Sequence, residues 1–365
     1  MAKTKAEPQY FSISQINAFR GCKQRWSYSY RDRLQTRAPQ KPLYMGSTLH
    51  KLLEIRANGG DWKDYLETVV AKEFNAMPDD YQAILGYDFI DTCYLIMDQY
   101  EWAYENEPIK YLATEVKIDR KIKGRKRFIG VVDAICEMDG KQYIMEHKSF
   151  KSSKMSVDQT WLNPQTYLYA KVLNEQGYHI EGVIWDMIKT SAPQPPKVLK
   201  NGAFGKQYSD QTLKSFEWAG ITEIPEDIYE QIKCNYRNFI DRYTTPILPT
   251  VMEQIWTEFE QTVNEITRCK TCPKSLGRDC DWCGFKDLCQ TELTGGDVEY
   301  VKQLYYTTPD QRDHKPFEEF FRGCTACTQC QTNVINSGYA VDIETCFANR
   351  DTCEAYSKWK EENKK

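Results

Sequence analysis

The chain has 365 residues and is 41% hydrophobic, enough for one large domain or two modest ones with a real core. Its formal charge of −4 argues against a protein that coats nucleic acid through bulk charge, but leaves room for a local basic groove. No apolar run reaches the ~18 residues of a membrane span, Met1 to Lys5 lack the apolar segment of a signal peptide, and there is no Gly-x-x-x-x-Gly-Lys-Ser/Thr loop. A cytoplasmic protein is expected, with no membrane contact and no motor of its own.

Residues 1–10 read as a loose tail. Ser12 and Ser14 are candidate caps for a helix through Ile16, Phe19, Trp26 and Tyr30, with Arg20, Lys23, Arg25, Arg31 and Arg33 on its polar side. Its aromatic residues are expected in the core rather than stacked on bases. A second helix is predicted over 46–55, with Leu49, Leu52 and Leu53 buried, and 62–76 and 80–104 also read as helical. Strands are predicted over 112–122, 126–138 and 142–148; Asp139-Gly140 joins the last two as a hairpin turn. A helix over 158–173, a strand over 182–188 and an irregular arm over 191–210 follow, then helices over 225–243 and 248–266. Cysteines crowd 269–289, and Gly295-Gly296 marks a boundary, giving a domain over 1–295 and a Cys-rich extension over 296–365. There is no internal repeat.

The most informative stretch is Gly130 to Lys148. Asp133 and Glu146 fall on adjacent antiparallel strands. Side chains alternate along a strand, so Glu146 and Lys148 share one face and His147 points away. Two carboxylates can hold Mg²⁺ or Mn²⁺, and the lysine can steady a water or a phosphate. A polar edge strand with a surface ion pair is the competing reading of this short pattern. His50, one of only four histidines, lies on the second helix and would complete such a site if it came near. Gln165 and Tyr169 stand one turn apart on a later helix and face the same way. The segment from Lys117 to Arg127 sets Lys117, Arg120, Lys121, Lys123, Arg125, Lys126 and Arg127 against Asp119 alone, so phosphate contacts beside the site are expected there.

In order, Gly46-x-x-x-His50, Gly130-x-x-Asp133, Glu146-x-Lys148 and Gln165-x-x-x-Tyr169 resemble the RecB/AddB-type branch of the PD-(D/E)XK nuclease superfamily. The opening Ser14-x-x-x-x-Phe19-x-x-Cys22 resembles that branch too, and the likeness covers roughly residues 10–290. It implies an α/β fold with a restriction-endonuclease-like core, a mixed central sheet flanked by helices, and helical additions. It also implies a metal-dependent DNA nuclease, more often an exonuclease, serving recombination, repair or phage DNA metabolism. By position, His50, Asp133, Glu146 and the carbonyl of His147 would be metal ligands. Lys148 would act on the phosphate or nucleophile, and Gln165 and Tyr169 would support the DNA strand. A separate helicase or recombination protein is an expected partner. A DNA-binding scaffold with an inactive site, and a zinc-stabilised interaction protein, are the alternatives.

Ten of the fourteen cysteines lie from Cys269 onward, which in a reducing compartment points to metal or cluster binding rather than disulfides. Cys93, Cys136 and Cys234 are isolated and read as small hydrophobes. In iron–sulfur members of the branch, one cysteine before the core joins three after it. Cys22, Cys280, Cys283 and Cys289 match that layout, which implies a structural [4Fe–4S] cluster. The rival is a four-cysteine zinc site of Cys269, Cys272, Cys280 and Cys283. Cys324, Cys327, Cys330, Cys346 and Cys353 form a second group, open to zinc, a second cluster or free thiols.

Overall fold

Six strands make the central sheet: β1 (Gln9–Phe11), β2 (Lys110–Lys123), β3 (Lys126–Met138), β4 (Lys141–Phe150), β5 (Ile180–Lys189) and β6 (Ile240–Pro246). The computed structural model describes residues 7–308 except Lys206. Within it, residues 7–31 and 36–306 belong to one compact unit. β2–β3, β3–β4 and β5–β6 are antiparallel, while β1–β3 and β4–β5 are parallel, so the sheet is mixed. The β3–β4 turn is Asp139-Gly140, both residues at positive φ (52° and 72°), the backbone that a two-residue primed turn demands.

The pairing of β3 positions the site. One edge of β3 pairs with β2 along its length. The other pairs with β1 at residues 126–128 and with β4 at residues 134–138. Residues 129–133 therefore face an opening between β1 and β4, and Asp133 stands where the β3–β4 ladder parts.

Helices α1 (Ile13–Gly21), α4 (Pro164–Glu175) and α5 (Pro249–Arg268) cover one face, burying Phe128, Val132, Ile144, Val183, Trp185 and Met187 of the sheet. Phe19 and Trp26 lie in this core, edge to face at 5.3 Å. Helices α2 (Lys41–Ala57) and α3 (Phe89–Ala103) pack with Ile188 and Ile240 in a second core. Among the described residues, no helix is long and apolar enough to cross a membrane.

Five local expectations are corrected. The N-terminal tail contributes β1, because its backbone completes the start of β3. The first helix breaks at Cys22, whose extended backbone (φ −155°) lets its sulfur cap the next turn, Lys23–Trp26. The stretch over 80–104 breaks at Gly86, whose φ of 96° ends one helix before α3 begins. The stretch over 158–173 is two helices, because Pro164 at a first-turn position and Asn163 as cap start α4 afresh. The helix expected over 225–243 stops at Ile232, and residues from Ile240 form β6, where Ile240, Tyr243, Thr244 and Thr245 suit a strand paired to β5.

Candidate active site

Asp133, Glu146, Lys148, His50, Gln165 and Tyr169 come from four elements and converge at the opening beside β3. Glu146 and Lys148 share a face of β4, and Lys148 Nζ donates to Glu146 Oε1 at 2.6 Å. Gln165, in the first turn of α4, donates to the same oxygen at 2.8 Å and to the Tyr169 hydroxyl at 3.3 Å. Lys148 also reaches Gln165 Oε1 at 3.4 Å. Asp133 Oδ1 lies 3.3 Å from His50 Nδ1, and its Oδ2 accepts the His147 amide at 2.8 Å. Where the β3–β4 ladder ends, the Asp133 side chain thus takes up the amide of the partner strand.

Gly130 has a steric reason. A Cβ there would stand 2.6 Å from Tyr169 Cε1, so only glycine admits the ring that lies over β3. At Gly46 a Cβ would meet the Ser149 hydroxyl at 3.4 Å, so α2 runs close over the end of β4.

The charges shape one another. Burial raises the Glu146 carboxyl, Asp133 raises it further, and Lys148 only partly offsets them, leaving it at about 7. Burial would also raise Asp133, but His50 and His147 outweigh it and hold the group below its ordinary value. Burial would lower His50, yet Asp133 and Glu146 raise it. Lys148 is likewise raised, with Glu146 and then Asp133 overcoming burial. Burial above all keeps the Tyr169 phenol protonated.

Glu115 is a site neighbour that sequence reasoning missed. It lies on β2 opposite Asp133, at φ 47°, a backbone region that costs a non-glycine residue about 1–3 kcal/mol. Burial, Asp133 and Glu54 all raise its carboxyl. Only a lone acid in a strand marks it in the sequence. The basic segment before Asp133 is less free than expected. Arg120 is bound by Glu175 and stacks on Trp256, Arg127 pairs with Asp119, and Lys126 is held by Asn264 and Thr267. Its tip at Gly124 is nine residues before Asp133, roughly 30 Å at strand rise.

On the opposite face, the His147 ring meets Asp186 at 2.7 Å, and its centroid is 5.7 Å from that of His50. Two open clefts of about 480 and 720 Å³ lie elsewhere, around Arg242 and Tyr104 and around Lys23 and Arg268.

Among the described residues, no group of three His, Cys, Asp or Glu side chains is arranged to hold a metal ion as it stands. The donor set nonetheless fits a hard divalent cation. Glu146 Oε2 is buried without a hydrogen-bond partner, an open acceptor next to a second carboxylate.

Cys22 accepts a hydrogen bond from the Ser275 amide at 3.5 Å, and the Cys280 thiol reaches the Ser275 carbonyl at 3.9 Å. Burial lifts the Cys289 thiol to about 11, with Cys283 and Cys22 close enough to add to the rise. Cys269 and Cys272 form a separate pair with sulfurs 3.8 Å apart. Cys93 and Cys136 are buried, whereas Cys234 is exposed. Cys324, Cys327, Cys330, Cys346 and Cys353 lie outside the described residues.

No curated protein matches the chain. The crystal structure of SSO0001 is similar over 79% of this chain and 89% of that one, at 13% identity and a TM-score of 0.34. The family model of the PD-(D/E)XK nuclease superfamily matches residues 10–290. Members of that superfamily are generally nucleases that act on DNA and commonly use Mg²⁺ or Mn²⁺. The convergence of the Asp, Glu-x-Lys and Gln-x-x-x-Tyr residues falls inside the matched span, and the chain belongs to the PD-(D/E)XK nuclease superfamily.

Proposed function

We propose that the chain is a Mg²⁺- or Mn²⁺-dependent DNA exonuclease of the RecB/AddB-type branch, stapled by a [4Fe–4S] cluster. The observation that carries the hydrolytic reading is the orphaned Oε2 of buried Glu146, set beside Asp133 and Lys148. His50, Asp133, Glu146 and the carbonyl of His147 would hold the cation. It would supply an activated water and neutralise charge on the scissile phosphate. Loading requires Glu146 to give up its proton, so affinity rises with pH through about 7.

Lys148 has a raised proton affinity and remains a cation at neutral pH, so it stabilises developing negative charge rather than acting as a base. Gln165 positions Lys148 and Glu146 together, and the neutral Tyr169 phenol offers a donor to the DNA backbone. The exonuclease mode follows from the branch resemblance.

The cluster reading rests on Cys22 and Cys280 sharing Ser275, and on Cys283 and Cys22 lying close enough to Cys289 to raise its thiol. Zinc in the tail cysteines is a further part of the proposal, as is a separate helicase or recombination partner.

The test is degradation of end-labelled single- and double-stranded linear DNA, beside a closed circle, with Mg²⁺ or Mn²⁺. Asp133→Ala and Lys148→Ala should abolish cutting in folded protein, and the circle should be spared. Iron and sulfide analysis of anaerobically purified protein tests the cluster. Binding without cutting under either metal would replace the nuclease reading with a DNA-binding scaffold.

A further inference from the structure

His147 belongs to both sides of the sheet. Its amide serves the front, where it donates to Asp133 Oδ2 at 2.8 Å. Its ring serves the back, where Nδ1 meets Asp186 Oδ2 at 2.7 Å. Asp186 is fully buried, and both of its oxygens are used: Tyr100 donates to Oδ2 and Arg242 Nε to Oδ1, each at 2.7 Å. His147, Asp186 and Arg242 are direct register partners across β4, β5 and β6, so they form one polar row perpendicular to the strands.

The row closes on itself. Arg242 bonds to Glu107, and Glu107 accepts Arg56 Nη1 at 3.1 Å. Arg56 lies on α2, the helix that carries His50, and His50 returns to Asp133. The circuit therefore runs His50, Asp133, His147, Asp186, Arg242, Glu107, Arg56. It pins α2 and β4 to the sheet from behind the carboxylates.

We propose that Asp186 is a positioning residue for the candidate metal ligands, acting through the His147 ring to hold the Glu146–Lys148 segment and Asp133 in register. The functional consequence rests on the nuclease reading; the geometry and the metal-binding readout do not. Fixing the ring fixes the two peptide planes that flank it, and with them the His147 amide and carbonyl. Groups that orient ligands from behind typically change metal affinity or activity by about 10–100-fold when removed.

The experiment titrates Mn²⁺ into the full-length, DNA-free protein and follows free Mn²⁺ by electron paramagnetic resonance. Asp186→Asn and His147→Ala should each weaken Mn²⁺ binding at least about tenfold. His147→Asn places an amide N–H near the position of Nδ1 and should recover most of that loss. In DNA turnover, kcat should fall with KM for DNA little changed. If Asp186→Asn does not fold, His147→Ala decides, since it leaves Asp186 with Tyr100 and Arg242. A folded His147→Ala that binds Mn²⁺ within twofold of the wild type overturns the proposal, as does an Asn variant no better than Ala. A wild type that binds Mn²⁺ but cuts no DNA overturns the nuclease reading alone, because the variants still differ in binding.

Discussion

Glu146 and Asp186 lie on neighbouring parallel strands, and both are buried to within 1% of complete exclusion from solvent. Asp186 receives Tyr100, His147 and Arg242, and Arg242 and then His147 overcome burial and hold it well below the usual carboxylate range. Glu146 receives Lys148 and Gln165 on one oxygen and nothing on the other, and burial with Asp133 lifts it to about 7. The difference lies in donor count and neighbouring sign, not in depth. A saturated carboxylate is part of the scaffold; an unsaturated one beside a like charge retains capacity for a cation.

The largest break in this comparison comes from the saturated side. Arg242→Met leaves Asp186 as a buried charge without its main counter-ion and should destabilise the fold by about 3–5 kcal/mol in equilibrium denaturation. Glu146→Gln acts in the opposite direction. The folded value of Glu146 lies above its ordinary 4.5, so its contribution to stability is full below that value and is lost as pH rises toward about 7. The amide should therefore stabilise metal-free protein at pH 8 by about 3 kcal/mol and change little at pH 4, read as a shift in melting temperature, while abolishing DNA cleavage. No gain at pH 8 would mean that Glu146 is solvated and that the contrast with Asp186 fails.

A smaller effect sharpens the packing side. Gly130→Ala drives a methyl into the Tyr169 ring and should cost about 1–3 kcal/mol, with activity falling more than stability, since Tyr169 bonds Gln165. The smallest concerns the start of α4. Asn163→Ala removes the cap that accepts the Gln165 amide at 3.0 Å and should cost about 1 kcal/mol, with a modest fall in kcat as Gln165 loosens.

Much of the site was legible because its chemistry follows strand alternation. The Asp-Gly turn and the apolar runs placed Asp133 and Glu146 on adjacent antiparallel strands, and period two put His147 on the other face. The back row was not legible, because Asp186 is paired by Arg242 on a strand read as helix, and long-range pairing leaves no local trace. Its one signal was a lone acid in the apolar run from Val183 to Ile188. Glu115 was missed for a different reason, since a left-handed residue inside a strand reflects tertiary strain rather than propensity. The basic segment before Asp133 misled because counting charges ignores the acids that other elements bring to them.

The two-residue turn at Asp139-Gly140 acts as a ruler for everything downstream on β4. Deleting one residue there would slide the strand so that His147 takes the place of Glu146, and adding one would bring Met145 to that place and Glu146 opposite Asp186. In either direction the site loses the carboxylate it needs, and the insertion also sets a second carboxylate against Asp186 where it needs a donor. A one-residue change of length at that hairpin therefore reaches Glu146 whichever its direction, however exposed the turn itself is.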